Sequence, residues 1–125
     1  MMRSRNILDS FRFAFSGLWY ALQTQRNTRI HLAIAAAVVA LGKWLDISPS
    51  QWALLALTIG FVLVGEMINT VAETLVDMIT PTYHPLAKVV KDVTAGAVLL
   101  TAIVSIVVGL LVLAPPLWEQ VGRLF

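Results

Sequence analysis

The sequence has no cysteine and few charged residues. Of its 125 residues, 13% are Asp, Glu, Lys or Arg and 58% are hydrophobic. The absence of cysteine excludes disulfides and thiol catalysis. Average soluble domains carry about 25% charged residues, and a chain this short has a large surface relative to its volume. We therefore predict a single domain, residues 1–125, of an integral membrane protein rather than a water-soluble globule.

Several motifs of soluble nucleotide and metal sites are also missing. The chain has no Gly-rich P-loop ending in Lys-Ser/Thr and no glycine fingerprint of a dinucleotide fold. His31 and His84 lack the spacing of zinc ligands. We interpret His31 as an interfacial helix residue, whereas His84 could contact phosphate or have no role in a site. We expect no signal peptide, because the basic start runs into Ile7-Leu8-Asp9-Ser10 rather than an uninterrupted apolar core.

Positive charge is concentrated near the N-terminus. Five of the nine basic residues precede the first long apolar run, against a single acid, Asp9. These five are Arg3, Arg5, Arg12, Arg26 and Arg29. Because the residues between them are aromatic and aliphatic, the pattern indicates a segment held at an anionic membrane surface. We expect no nucleic-acid partner.

The hydrophobic periodicity predicts an all-α membrane protein with one surface helix and three spanning helices. Residues 4–24 have the helical amphipathic pattern of a segment lying in the interface, or of a helix packed on the bundle. The spanning helices are predicted at 29–46, 49–80 and 86–114. Residues 48–51 (Ser-Pro-Ser-Gln) form a capping box that starts the second. Pro81 stops this helix, and Pro115-Pro116 end the third.

The distribution of basic residues also predicts the orientation. With three spans, the Arg-rich N-terminus and the 81–91 turn, which carries Lys88 and Lys91, lie on the same side of the membrane. The positive-inside rule assigns that side to the cytoplasm.

A stripe of polar residues follows the uncharged part of the second spanning helix. Glu66, Asn69, Glu73 and Asp77 are spaced by three, four and four residues, so they fall within an arc of roughly 80° on one helix face. Ionisable groups at membrane depth are functional candidates. Glu66 lies about 27 Å beyond Ser48 along the helix, which places it at the inner edge of a hydrocarbon core of about 30 Å.

The carboxylates of this stripe need cations. Lys88 and Lys91 begin the third spanning helix, with Asp92 adjacent. A hard divalent ion such as Mg²⁺ is the second possible source of positive charge. It would bind the carboxylate oxygens of the stripe together with substrate phosphates. For Asp77 and Lys88, a salt-bridged and solvated helix end explains the pattern equally well.

The order of these residues resembles a known family. Residues 66–77 (EMINTVAETLVD) resemble the E-x-x-N-(S/T)-x-x-E-x-x-x-D signature of the prokaryotic diacylglycerol and undecaprenol kinases. Residues 83–92 resemble the turn and Lys-Asp pair that follow it in that family, and residues 95–98 (AGAV) continue the similarity. Upstream, segments 11–17 and 26–31 resemble its surface-helix region.

The resemblance, which covers about residues 5–110, implies a homotrimer in the bacterial inner (plasma) membrane, with active sites near the cytosolic interface. It implies that ATP with Mg²⁺ phosphorylates the primary hydroxyl of a membrane lipid alcohol. Glu66 matches the general base and, with Asn69 and Ala95, the substrate-binding positions. The ATP-binding positions are Phe13, Gln25, Glu73, Thr82, Tyr83, His84, Lys91 and Asp92, and the metal positions are Glu73 and Gln25.

The sequence departs from the family pattern in its N-terminal half. Gln25 stands where well-known members carry a Glu that helps to hold magnesium, and an amide oxygen can coordinate a metal but brings no charge. Asn6 and Phe13 stand where some members carry Arg and Tyr as nucleotide contacts. Residues 84–88 and 95–98 are closer to the undecaprenol kinase branch, which favours a polyprenol over diacylglycerol.

Two other functions are compatible with parts of the sequence. A family member that has lost catalysis and acts as a membrane interaction protein would account for Gln25. A small oligomeric transporter would account for intramembrane carboxylates as ion ligands, but it leaves Lys91, Asp92 and the surface helix unexplained. The lipid kinase accounts for the carboxylate at Glu66, because a carboxylate can accept the proton of an attacking alcohol, and for Lys91, because phosphoryl transfer needs its charge neutralised.

Overall fold

The computed structural model of the protein describes residues 6–125, which form four α-helices. They are α1 (Ile7–Thr24), α2 (Arg26–Leu45), α3 (Pro49–Ile79) and α4 (Pro85–Leu124). α3 and α4 pack along each other, α2 packs on both, and α1 packs on α2. α2, α3 and α4 are each long and apolar enough to cross a membrane. The predicted fold class, a short N-terminal helix followed by three spanning helices, is confirmed.

The first helix begins at a side-chain cap. The Asn6 side chain accepts a hydrogen bond from the Asp9 amide over 2.9 Å, which satisfies a donor that the first turn leaves unpaired. The start predicted at residue 4, and the charges of Arg3 and Arg5, lie outside the described residues. Most of the large apolar side chains of α1 are exposed, among them Phe11, Phe15 and Trp19.

A single extended residue, Gln25, separates α1 from α2. Its backbone N–H donates to the Ala21 carbonyl, and its side-chain amide lies 3.5 Å from the Thr24 hydroxyl. Arg29, in the first turn of α2, donates to the carbonyls of Leu22 and Gln23 over 3.1 and 2.9 Å. The guanidinium therefore satisfies carbonyls that the end of α1 leaves without helical partners.

The connection between α2 and α3 is tight. Asp46 adopts a left-handed conformation with φ 52°, which Asp tolerates better than most residues. Ser48 and Gln51 form the predicted capping box. Gly42 is buried beneath Trp52, and a Cβ at residue 42 would lie 2.8 Å from the Trp52 Cη2 atom. A larger residue at position 42 would force the Trp52 ring to shift, so glycine lets the two helices pack close together.

The third spanning helix is longer than predicted. α4 does not end at residue 114, as expected from Pro115 and Pro116, but continues through both prolines to Leu124. Each proline removes one helical N–H donor. In apolar surroundings, however, a chain that left the helix would lose the partners of many more backbone groups, so a helix containing proline is the less costly alternative. At its other end, α4 starts one residue early, at Pro85.

The interior differs between the two ends of the bundle. The buried apolar cluster lies at the end with the α2–α3 connection and consists of Ile47, Leu55, Val112 and Leu113. The half nearer the α3–α4 turn has a polar interior instead. Its buried polar residues are Thr28, Glu66, Thr70 and Thr101. Glu66 therefore lies outside the apolar cluster, in the half of the bundle that buries polar residues.

Candidate functional site

Glu66 is the most deeply buried large side chain of the described residues. It is 2% exposed and lies on the face of α3 that also buries Val62 and Thr70, one helical turn away on either side. The Thr70 hydroxyl donates to the Glu66 backbone carbonyl over 2.9 Å, not to its side chain. A buried carboxylate is costly unless a cation or a hydrogen-bond donor compensates it.

His31 of α2 supplies the ionisable contact to this carboxylate. Its Nε2 atom lies 3.1 Å from Glu66 Oε1. Oε1 nevertheless accepts no hydrogen bond from any described residue. It follows that the ring N–H does not point at this oxygen. The interaction is therefore a close polar contact rather than a formed hydrogen bond.

The sequence interpretation of His31 missed this contact. A usable signal was the depth of the two residues, since α2 and α3 are antiparallel neighbours joined by a short connection. His31 and Glu66 lie at similar distances along the chain from that connection. Their approach depends further on the rotation of both helices, and this chain alone gives no pattern that specifies it.

Asn69 and Glu73 continue the stripe towards the α3–α4 turn. The Asn69 Oδ1 atom is buried and accepts no hydrogen bond within the described part of the chain. Glu73 is half-buried, and its carboxylate forms no hydrogen bond or ion pair with residues 6–125. Because the two residues lie one turn apart on one helix face, their oxygens are neighbouring acceptors without donors.

These acceptors fit a magnesium ion that arrives with a nucleotide. No three His, Asp or Glu side chains within residues 6–125 are close enough together to hold a metal. Magnesium in nucleotide sites is usually held by one or two carboxylates together with phosphates and waters, so Glu73 is a suitable ligand. Gln25, the other predicted ligand, would add only an uncharged amide oxygen.

A second group of candidate residues lines an open cleft of about 430 Å³ at the α3–α4 turn. Lys91 Nζ lies 2.9 Å from Asp77 Oδ1, and Lys88 pairs with Asp92 one turn further along α4. The His84 Nδ1 atom accepts the Leu86 amide, so the proton of the neutral ring is on Nε2. The cleft thus offers ammonium and imidazole donors suited to phosphate oxygens.

The cleft brings together five of the predicted ATP-binding residues. Thr82, Tyr83, His84, Lys91 and Asp92 all line it. The other predicted site residues lie elsewhere. Phe13 is exposed on α1, and Gln25 is at the α1–α2 junction. Glu73 lies on α3, one turn closer to Glu66 than the cleft residue Asp77, and Ala95 is exposed on α4.

Asp77 also lines the cleft, although it was not among the predicted site residues. The signal for this position is the short α3–α4 connection, which brings residues near the end of α3 beside residues near the start of α4, as it does Asp77 and Lys91. The same geometry separates the cleft from Glu66. Asp77 lies eleven positions beyond Glu66 on the same helix, or about 16 Å along the axis.

The chain is similar to proteins of one known family. Residues 12–113 match the family model "Prokaryotic diacylglycerol kinase". A diacylglycerol kinase of Synechocystis sp. is 46% identical over 113 residues, which are 90% of this chain and 65% of that protein. An undecaprenol kinase of Bacillus subtilis is 42% identical over 108 residues, covering 86% of this chain and 88% of the relative. A diacylglycerol kinase of Escherichia coli is 27% identical over 116 residues, covering 93% and 92% of the two chains.

Proposed function

The chain belongs to the prokaryotic diacylglycerol kinase family, and we propose that it transfers the γ-phosphoryl group of ATP to the primary hydroxyl of a membrane lipid alcohol. The observation that carries this proposal is the buried Glu66 carboxylate, whose Oε1 atom has no hydrogen-bond donor among the described residues. A lipid hydroxyl is a donor of the kind that this carboxylate lacks.

In the proposed reaction, Glu66 is the general base. The lipid hydroxyl donates a hydrogen bond to the carboxylate. Its oxygen then forms a bond to the γ-phosphorus while the bond from that phosphorus to the bridging oxygen of ADP breaks. The hydroxyl proton passes to Glu66, and the products are a lipid phosphate and ADP.

The α3–α4 cleft supports the proposal on the nucleotide side. Lys91 and the Nε2–H of His84 would bind phosphate oxygens, and Tyr83 and Thr82 would contact the rest of the nucleotide. Magnesium, when bound, would neutralise phosphate charge in the transition state. Glu73 would be its main protein ligand, with Gln25 as a weak second.

Glu66 and the cleft are about 16 Å apart along α3, so the proposed base and the proposed nucleotide site of one chain are not adjacent. We propose a homotrimer whose active sites are shared between subunits, so that residues of more than one chain complete each site. The N-terminus and the α3–α4 turn would then lie in the cytoplasm, where ATP is available, with the protein in the bacterial inner membrane.

The proposed acceptor is undecaprenol, with diacylglycerol as the alternative. Residues 84–88 and 95–98 support the polyprenol, as described above. The similar identities to an undecaprenol kinase and to a diacylglycerol kinase do not separate the two acceptors, so the assay must offer each lipid alone.

The test is a phosphorylation assay of the purified protein in mixed micelles with labelled ATP and saturating magnesium. We expect labelled lipid phosphate, formed faster from undecaprenol. A Glu66→Gln variant keeps the shape of the side chain but accepts a proton poorly, and its kcat should fall by about 100-fold or more. Helix content by circular dichroism serves as the folding control.

Each negative result has a distinct meaning. A folded Glu66→Gln variant with normal activity would refute the assignment of the base. No lipid phosphate from either alcohol would favour the catalytically inactive family member that Gln25 suggests.

A further inference from the structure

His31 is the one ionisable side chain, within residues 6–125, that contacts the carboxylate of Glu66. The side chain of His31 is 22% exposed and that of Glu66 is 2% exposed, so the contact is largely shielded from solvent. His31 also lines an apolar cavity of about 80 Å³ with Ile34 and Val38 of α2 and Val62 of α3. The imidazole is therefore held between an apolar wall and the carboxylate.

We propose that His31 is a positioning residue for the phosphoryl transfer. Its Nε2 atom approaches Oε1 and leaves Oε2 to accept the proton of the lipid hydroxyl. A small rotation of the ring would align Nε2–H with Oε1 and turn the 3.1 Å contact into a hydrogen bond, which fixes the rotamer of Glu66. This inference rests on the proposed function, because it gives His31 a role only if Glu66 is the base.

Fixing the carboxylate matters because Oε1 has no other partner. A carboxylate without a donor samples several rotamers, and a misplacement of about 1 Å at a reacting group can cost roughly 100-fold in rate. The helices do not need this contact for their association, since Gly42 packs under Trp52 at the other end of the α2–α3 pair. The role of His31 can thus be separated from the stability of the bundle.

Two amide substitutions separate positioning from other roles. The side-chain nitrogen of Gln reaches about as far as Nε2 of His, whereas that of Asn reaches only about as far as Nδ1. His31→Gln therefore keeps an N–H donor beside Oε1, and His31→Asn carries the same chemical group too far away to donate. Neither amide accepts a proton at neutral pH, so the pair also distinguishes positioning from proton transfer by His31 itself.

The measurement is kcat and KM for ATP and for the lipid alcohol, for the full-length wild type and both variants in mixed micelles. We expect His31→Asn to lower kcat by about 10- to 100-fold, as a displaced catalytic group does. KM for ATP should stay unchanged, because the nucleotide cleft lies at the α3–α4 turn. His31→Gln should keep most of the wild-type kcat.

Several results would overturn the proposal. Equal activity of the two variants at the wild-type level would show that the Nε2 contact has no function. Loss of activity in both folded variants would indicate that His31 transfers a proton or supplies charge. Unfolding of the Asn variant beside a folded, active Gln variant would indicate a purely structural contact. Inactive wild-type protein with either alcohol would refute the proposed function itself, which is a different outcome from these three.

Discussion

A methyl group added at Gly65 should disturb the packing that holds Glu66 in place. Gly65 of α3 faces Thr101 of α4, and a Cβ at residue 65 would lie 3.1 Å from the Thr101 Cγ2 atom and 3.6 Å from its Oγ1 atom. Thr101 is buried, and its hydroxyl donates to the Val98 carbonyl over 2.7 Å. The side chain cannot turn away from the new methyl group without losing this hydrogen bond, so the helices must move apart.

The magnitude follows from two opposing effects. Overpacking a well-packed site typically costs about 1–3 kcal/mol. Replacing Gly by Ala inside a helix gains up to about 1 kcal/mol from helix propensity. We therefore expect Gly65→Ala to be destabilising by about 1 kcal/mol. Gly60 is the matched control on the same helix, because a Cβ there meets no atom within 4 Å. Gly60→Ala should be neutral or stabilising.

The assay is thermal unfolding in detergent micelles, followed by far-ultraviolet circular dichroism. Thr101→Ser removes Cγ2 and keeps the hydroxyl, which leaves the new methyl group with an ordinary 3.6 Å contact. The double variant Gly65→Ala/Thr101→Ser should therefore be more stable than the sum of the single effects predicts. Equal stability of Gly65→Ala and Gly60→Ala, or no coupling to residue 101, would refute the reasoning. Because Glu66 is the next residue, we also expect kcat to fall in Gly65→Ala and not in Gly60→Ala.

Two further predictions concern the proposed nucleotide cleft and the proposed orientation. Lys91→Gln should raise KM for ATP about tenfold or more, the order expected when a charged hydrogen-bond donor is lost. The unfolding midpoint should barely change, because the ion pair with Asp77 is exposed. The control is Lys43→Gln, near the α2–α3 connection at the other end of the bundle. An equal rise of KM for ATP in this variant would contradict a specific role for Lys91. The chain has no cysteine, so Ser50→Cys and Thr82→Cys each give a unique label site. A membrane-impermeant maleimide should label intact cells only at residue 50, and the reverse pattern would overturn the proposed orientation.

The fold could be predicted from the sequence because its local signals are strong and do not conflict. The capping box at Ser48 and the uncharged run after it define the start of α3, and Pro81 follows its end directly. Pro115 and Pro116 gave the wrong end for α4. Proline stops helices in water because the freed backbone groups bind solvent, but a chain in lipid has no such alternative. The same residue type therefore predicts an end in one solvent and not in the other.

The candidate site was only partly accessible from the sequence. The stripe of Glu66, Asn69 and Glu73 follows from helix periodicity alone, which needs no knowledge of neighbouring helices. The contacts of His31 with Glu66 and of Lys91 with Asp77 join different helices, so they depend on register and rotation. The depth of each residue can be estimated along the chain, but the rotation of the helices is set by close packing at positions such as Gly42 and Gly65 and has no signature there.

The unequal interior of the bundle has a consequence for how this protein can evolve. The apolar cluster at the α2–α3 end holds the helices together, so the apolar packing that stabilises the bundle lies far from the carboxylates. The opposite half, whose buried polar residues are Thr28, Glu66, Thr70 and Thr101, can then exchange polar groups at a smaller cost in stability. A departure such as Gln25 lies in this permissive half. One scaffold can thus acquire a different proposed acceptor, or lose catalysis, through substitutions near the α3–α4 turn while the rest of the molecule stays the same.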